Sequence, residues 1–395
     1  MLRFLTAGES HGPQLTAILE GMIAGLPLSE DDLLNALARR QTGYGRGGRM
    51  QIEHDRARIT AGVMNGHTTG GPIALVIENR DWRNWREKDI QPFTVPRPGH
   101  ADLTGAVKYG YRDLRLSLER ASARETAARV AVGAVCKRLL AEFGITVGSD
   151  VTMIGGVEAE LPAHATPEEY RERFEQAERS EVRCPLPSAS DAMRARIREA
   201  IQAKYPLGGV FEVVALGVPP GLGSHVHYDR KLDGRLMGAV GSIQAIKGVE
   251  IGRAFEDAAK PGTEVHDPIR LADGGRLIRE GNNAGGTEGG ITTGEAVVVR
   301  AAMKPISTTL NPLPTVDLAT GQPTEAIYER SDYCAVPRAA VVGEAMVAYV
   351  LADALLEKLG GDSLAEIRPR FEALRRSHLD DLPMDNQPWR FGFSE

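Results

Sequence analysis

The sequence predicts a mixed α/β or α+β protein. Three observations carry that expectation: capped helical stripes, short β-rich runs lying between them, and two Gly-rich motifs that recur in the same order in both halves of the chain. The 395 residues suffice for one large domain or two ordinary ones. A hydrophobic share of 42% and a charged share of 25% are those of a soluble globular protein.

The helices announce themselves by their starts and stops. Ser29-x-x-Asp32 opens a helix to about Arg40 that buries Leu33, Leu34 and Leu37. Ser122-Ala123-Arg124-Glu125 reads as a capping box before an apolar stripe through Ala128, Ala131, Val135 and Leu139. Thr166-Pro167-Glu168-Glu169 combines a capping box with proline at the first helical position. Ala340 to Leu359 reads as strongly amphipathic, with Gly360-Gly361 as its stop. The strand-like runs are Leu15–Leu19, Ile73–Glu78, Val210–Leu216 and Ala296–Arg300.

The recurring motifs imply an internal duplication. Gly21-Met22-Ile23-Ala24-Gly25-Leu26 returns as Gly217-Val218-Pro219-Pro220-Gly221-Leu222. Gly66-His67-Thr68-Thr69-Gly70 returns as Gly290-Ile291-Thr292-Thr293-Gly294, each copy just before an apolar strand. Short Gly-rich matches also arise by chance. A true duplication would place two similar halves around one core, so residues 1–377 are expected to form a single domain. From His378 onward there is little periodicity, and 378–395 reads as an irregular tail.

Charge and cysteine usage exclude several classes. A net charge of −6 repels nucleic acid and anionic membranes, so a bound anion needs a local cation cluster. The first residues lack the apolar run of a signal peptide, and no uninterrupted apolar stretch reaches the roughly 20 residues that span a bilayer. Cys136, Cys184 and Cys334 are far apart and odd in number, which fits neither a disulfide framework nor a zinc site and suits the cytoplasm. Cys334 reads as a small buried hydrophobe. His225-Val226-His227 would place two rings on one face of a strand, but no third ligand is evident and no metal is expected.

The most unusual segment is residues 39–49, where four arginines (Arg39, Arg40, Arg46, Arg49) and four glycines fall in eleven residues. Guanidinium forks bind phosphate and carboxylate in pairs of hydrogen bonds, and glycines let the backbone approach an anion. A flexible loop after a helix end that favours cations is the plainer alternative. Gly43, Gly45 and Gly48 also fit G-x-G-x-x-G, but a helix precedes them and the strand-like 50–53 follows, the reverse of a dinucleotide fold. Arg120-Ala121-Ser122-Ala123-Arg124 opens a capped helix, a setting that suits phosphate or simply a cap. Gly281 to Gly294 holds six glycines in fourteen residues and leads to Lys304-Pro305-Ile306-Ser307-Thr308-Thr309, a cation among hydroxyls. His11 and His100 sit in loop-like contexts where imidazoles move protons near neutral pH or serve structure alone. Asp332 is either a general base or a turn former.

Taken together the motifs resemble the chorismate synthases. Gly8-Glu9-Ser10-His11-Gly12, Arg97-Pro98-Gly99-His100-Ala101-Asp102 and Glu329-Arg330-Ser331-Asp332 carry the resemblance, which runs in family order to about residue 360. It implies an α+β fold, a β-α-β sandwich with an internal pseudo-two-fold repeat, assembled as a homotetramer. It implies anti-1,4-elimination of phosphate from 5-enolpyruvylshikimate 3-phosphate, giving chorismate, with reduced FMN required. By position, His11, His100 and Asp332 resemble the catalytic residues. Arg40, Arg46, Arg49, Arg124 and Arg330 resemble the substrate shell. Arg120, Ala121, Ser122, Gln244, Ala245, Gly289, Lys304, Pro305, Ile306, Ser307, Thr308 and again Arg330 resemble the FMN contacts. Gln244 stands where many members carry Asn, and Ala121 where Ser is frequent. No appended reductase domain is visible, so an external flavin reductase or NADPH source is expected. Two rivals remain: an RNA-binding protein using Arg46-Gly47-Gly48, opposed by the net acidity and only 5% aromatic residues, and a flavoprotein oxidoreductase.

Overall fold

The computed structural model describes residues 1–46, 53–329 and 332–392. Arg49, Arg330 and the strand-like 50–52 lie outside the described residues.

Two antiparallel sheets enclose a layer of helices. The first sheet contains β1 (Arg3–Ala7), β2 (Gln14–Glu20), β3 (Ala57–Ala61) and β4 (Ile73–Glu78), in the order β1-β2-β4-β3. The second contains β5 (Thr146–Ile154), β6 (Gly209–Leu216), β7 (Ile246–Ile251) and β8 (Val297–Met303), in the order β5-β6-β8-β7, with Val157–Glu158 added beyond β5. Between them lie α1 (Glu30–Arg40) and α4 (Thr126–Ala141) on the first sheet, and α7 (Leu232–Gly241) and α8 (Val336–Leu359) on the second. The remaining longer helices are α2 (Asp102–Tyr109), α3 (Arg115–Ala121), α5 (Pro167–Arg179), α6 (Pro187–Gln202) and α9 (Leu364–Glu372). One apolar core runs from Leu2 on the first sheet through both helix pairs to Ile367. The chain is thus mixed α+β with helices sandwiched by sheets, and each strand-like run coincides with β2, β4, β6 or β8, Ala296 alone lying just before β8.

Local chemistry explains most boundaries. At α1 the Asp32 carboxylate accepts from the Ser29 amide at 2.7 Å, and at α5 Thr166 and Glu169 exchange side-chain-to-backbone bonds. Three expectations need correction. Ser122 caps only a short 3-10 turn, Ala123–Glu125, accepting from the Arg124 amide at 3.3 Å. Glu125 does not complete a box there, because Thr6, Arg129 and Gln244 occupy its carboxylate. Residues 225–227 form a bend rather than a strand. The C-terminal stripe is not amphipathic either. α8 begins at Val336 and is buried almost all round, being covered by both the helical layer and the second sheet. By length and composition it could cross a membrane, but here it is a core helix. Its charges are paired: Glu344 accepts from Arg39 at 2.7 Å and from Ser149 at 2.5 Å and meets Lys137, while Asp353 accepts from Arg235 and from the Leu2 amide, each at 2.5 Å.

α4 and α8 cross with almost no space between them. A Cβ on Gly133 would lie 2.3 Å from the Ala345 Cβ. Alanine is the better helix former by about 1 kcal/mol, yet two packed helices would have to separate. Gly133→Ala is therefore expected to lower stability by about 1–3 kcal/mol, read as a lower urea midpoint. An unchanged midpoint would refute the close crossing.

The recurring motifs make matching clasps. Thr68 Oγ1 donates to Ile23 O at 2.6 Å and accepts from the Leu26 amide at 2.9 Å. Thr292 Oγ1 donates to Pro219 O at 2.6 Å and accepts from the Leu222 amide at 2.8 Å. On the outer face of the second sheet lies α5, whose Tyr170 and Phe174 pack over Val214, Leu216 and Val298. Arg173 of α5 pins it there through Asp150 at 2.7 Å and Glu212 at 2.9 Å.

Candidate active site

Two imidazoles are each held by a carboxylate, and α3 connects them. His11 Nδ1 lies 2.7 Å from Glu119 Oε1, the His11 amide donates to Oε2 at 2.7 Å, and the ring packs 4.3 Å from that of Trp85. His100 Nδ1 lies 2.5 Å from Asp102 Oδ1. Asp102 also accepts from Arg97 Nε at 2.8 Å and Nη2 at 3.0 Å. Burial alone would raise both carboxyls. Hydrogen bonds from His11 hold Glu119 below its usual range, and those from His100 and Arg97 hold Asp102 far below it. On α3, Glu119 grips His11 while Ser117 Oγ donates to Ala101 O at 2.7 Å, beside His100. Arg115, on the same helix, lies over the rings of Trp85 and Phe93.

A buried chain of polar and charged groups leads from the His11 loop to Arg40, which feels the charges of Arg338 and Asp332. Asn79 Nδ2 donates to Glu9 O and Gly12 O, fixing the His11 loop, and its Oδ1 accepts from Arg124 Nε at 2.8 Å. Arg124 Nη1 donates to both Asp55 oxygens at 2.7 and 2.8 Å, and Arg40 Nη1 reaches the same carboxylate at 3.4 Å. Burial pushes the Arg40 guanidinium down to about 10 against the pull of Asp55, with Arg124 and Arg338 pushing the same way. Asp332 is held by Arg338 at 2.6 and 3.0 Å. The Gly45 carbonyl accepts from the Tyr333 amide at 2.8 Å, so the Arg-rich loop abuts this segment. Gly45 has φ +82°, and a Cβ there would press on Ile197 and Cys334, which explains glycine at this point. Asp332 and Thr308 line a shallow cleft with Tyr205, Leu310 and Tyr328.

A second set of donors adjoins His100. Gly99 O accepts from Lys304 Nζ at 3.1 Å and Ser307 Oγ at 2.7 Å, and Thr308 Oγ1 accepts from Arg97 at 3.5 Å. The Lys304 amide donates to Ala245 O at 2.9 Å. Ala245 itself holds φ +67°, strain of the kind stored at functional sites. Gln244 Nε2 donates to Glu125, and Thr6, which also bonds Glu125, accepts from Arg120 Nη2 at 2.9 Å. Ser122 Oγ accepts from Ser10 Oγ at 3.0 Å.

This arrangement has counterparts. The sequence model of the family described as chorismate synthase matches residues 2–356. The chain belongs to the chorismate synthase family. The chorismate synthase of Aquifex aeolicus is 58% identical over 384 residues, covering 94% of this chain and 96% of the relative. That of Pelobacter propionicus is 54% identical over 388 residues, covering 94% and 98%. A crystal structure titled as a chorismate synthase superposes with a TM-score of 0.79 at 51% identity, covering 94% of this chain and 96% of that one. Identity at this level over nearly the whole length carries the function: the chain has chorismate synthase activity, that of a carbon–oxygen lyase of the shikimate pathway.

Of the residues matching the chorismate synthase motifs, Arg40 and Arg124 meet at Asp55, Lys304 and Ser307 meet at Gly99 beside His100, and Arg120 and Gln244 are linked through Thr6 and Glu125. Arg46 is exposed at the end of α1, donating to Gln41 O at 3.3 Å. Gly289 precedes Gly290, whose carbonyl accepts from the Leu232 amide at the start of α7, and Gln244 follows that helix's end. Residues that sequence reasoning left without roles include Glu119, Asp102, Asn79, Asp55 and Arg338. Asp102 was legible in principle as a carboxylate two residues from His100. Asp55 and Asn79 carry no local signal, since their partners come from distant segments.

Proposed function

We propose that these residues carry out the anti-1,4-elimination converting 5-enolpyruvylshikimate 3-phosphate to chorismate and phosphate. The observation that carries the reading is the junction at Gly99, where a carboxylate-held imidazole adjoins a lysine and hydroxyls. In the reaction a carbon–oxygen bond breaks with its electron pair leaving on phosphate, a proton leaves from the far carbon, and the diene takes up that carbon–hydrogen pair. No net oxidation occurs.

His100, with Nδ1 committed to Asp102, presents Nε2 to protonate the departing phosphate. Asp332, oriented by Arg338, accepts the substrate proton. Arg40 and Arg124, with Arg46, Arg49 and Arg330, bind the phosphate and carboxylates of the substrate. Fixed in advance by Asp55 and Asn79, Arg40 and Arg124 need little reorganisation as charge develops. His11, fixed by Glu119, holds a proton beside the cofactor.

The residues present fit FMN. Gln244 Oε1 is buried and meets no hydrogen-bond donor among the described residues. Arg120, Ser122, Lys304, Ser307 and Thr308 supply cations and hydroxyls suited to a phosphate and a ribityl chain, with Ala121, Ala245, Pro305 and Ile306 beside them. Reduced FMN, when bound, lends electron density as phosphate departs. Supplied with dithionite-reduced FMN under anaerobic conditions, the chain is expected to release phosphate and form chorismate together. With oxidised FMN both should cease, and undiminished release would overturn the reading.

We also infer that residues 1–377 form one domain of two related halves, followed by the tail 378–395. In support, the strand orders β1-β2-β4-β3 and β5-β6-β8-β7 correspond, and the two threonine clasps match. A homotetramer, an external flavin reductase or NADPH source and a cytoplasmic setting complete the proposal. The three buried thiols suit a reducing compartment.

A further inference from the structure

A guanidinium stands between the two held imidazoles with donors left over. Arg115 lies over the ring of Trp85, 5.7 Å from its centre, and over that of Phe93 at 5.9 Å. The first ring packs on His11. The second also carries Arg97, at 5.6 Å, which binds Asp102 and through it holds His100. Asp102 thereby balances Arg97. Arg115 has no such partner at hydrogen-bond distance. Its Nη1 stands 4.0 Å from Glu119 Oε1, an oxygen that His11 already takes at 2.7 Å. Arg115 Nε and Nη1 are buried and meet no acceptor among the described residues. The position itself is firmly built. Asp113 Oδ1 accepts from the amides of Arg115 and Phe93 at 2.8 and 3.3 Å, and Asp81 accepts from the Trp85 indole at 3.1 Å. Ring faces attract a cation but do not replace an oxygen acceptor. Buried donors are nearly always paired, so two unpaired ones on a charged group call for a partner.

We propose that Arg115 is a further binding residue of the active site, donating to an anionic oxygen of a ligand that lies between His11 and His100. One-fifth of the side chain is exposed, so the guanidinium reaches the surface there and turns on its long stem to meet the ligand. A phosphoryl or carboxylate group supplies the oxygens that its nitrogens need. Both ligands of the proposed reaction carry such groups: the substrate a phosphate and carboxylates, FMN a phosphate. The aromatic faces hold the cation in place before binding, which spares the cost of ordering it afterwards. The proposal rests on the reading of the site given above and adds a residue to it.

Titration calorimetry on the full chain tests it and separates the two sources. The titrants are oxidised FMN, riboflavin (the same flavin without its phosphate) and, in excess oxidised FMN, 5-enolpyruvylshikimate 3-phosphate. Arg115→Gln is compared with Arg115→Lys and with Arg112→Gln, which removes an exposed arginine three residues away. If the oxygen belongs to the substrate, Arg115→Gln should weaken substrate binding roughly 10–100-fold, the worth of a hydrogen bond to a charged group, and leave FMN unaffected. If it belongs to the cofactor's phosphate, FMN should weaken by that factor and riboflavin should not. Arg115→Lys keeps the charge without the planar donor set and should regain only part of the loss. Should Arg115→Gln fail to fold by circular dichroism, the milder Arg115→Lys decides by the same comparison. Wild-type affinity for both substrate and FMN in a folded variant would overturn the proposal. So would equal weakening of all three titrants, the mark of a packing role, or the same loss in Arg112→Gln. A wild-type chain that binds neither substrate nor FMN would instead sink the reading of the site itself.

Discussion

Replacing His100 by alanine is expected to slow phosphate release by roughly 10²–10⁴-fold, the usual worth of a positioned proton donor. Phosphate leaves poorly as a highly charged anion, so the proton it receives matters most while the carbon–oxygen bond is breaking. The proposed function gives this task to the His100 ring. Asp102, wholly buried, fixes the ring from one side, while Arg97 binds that carboxylate through two nitrogens and the backbone amide. Asp102→Asn keeps the shape but removes the charge that stabilises an imidazolium, and should also lower kcat, by less than the loss of the ring. The measurement is kcat at saturating reduced FMN, with thermal melts to establish that the variants are folded. Wild-type turnover in His100→Ala would remove this residue from the chemistry.

Asp55→Ala is expected to destabilise the fold by about 3–5 kcal/mol, the cost of leaving buried charge uncompensated. The Asp55 side chain is fully buried, and it is a carboxylate that Arg40 and Arg124 share. Without it two guanidinium groups face each other in a poorly solvated space, where burial already depresses Arg40 to about 10. Asp55→Asn retains an acceptor and should lose less stability, but it frees both arginines and should raise KM more than it lowers kcat. Urea midpoints separate these outcomes. A shift below about 1 kcal/mol in Asp55→Ala would mean that the arginines are balanced by other groups.

The sequence revealed what depends on neighbours in the chain and hid what depends on distant ones. Thr166–Glu169 and Ser29–Asp32 could be read because their partners lie three residues away. β2, β4, β6 and β8 could be read because β-branched runs between turn residues mark strands. The character of α8 could not. Its Arg338, Glu344 and Asp353 are spread around the helix, and only the fold supplies Asp332, Lys137 and Arg235 to neutralise them. Glu125 misled in the opposite sense: local spacing assigned it to a cap, while Thr6, Arg129 and Gln244 claim it in space. In the site, His11, His100 and Asp332 stand in distinctive motifs. The groups that aim them, Glu119 and Arg338 among them, have ordinary sequence surroundings.

The lateness of α8 in the chain has a consequence for synthesis. This helix fills the space between α4, which is made more than 190 residues earlier, and the second sheet. Until residues 336–359 leave the ribosome, the flank of α4 around Gly133, which closes on Ala345 in the folded chain, has no lasting cover. The nascent chain must therefore hold a sticky, half-built core in solution for most of its translation. Such delayed closure over a long loop slows folding and invites wrong associations. Chaperone capture during elongation, ending as the last helix docks, is the behaviour this architecture demands of the cell.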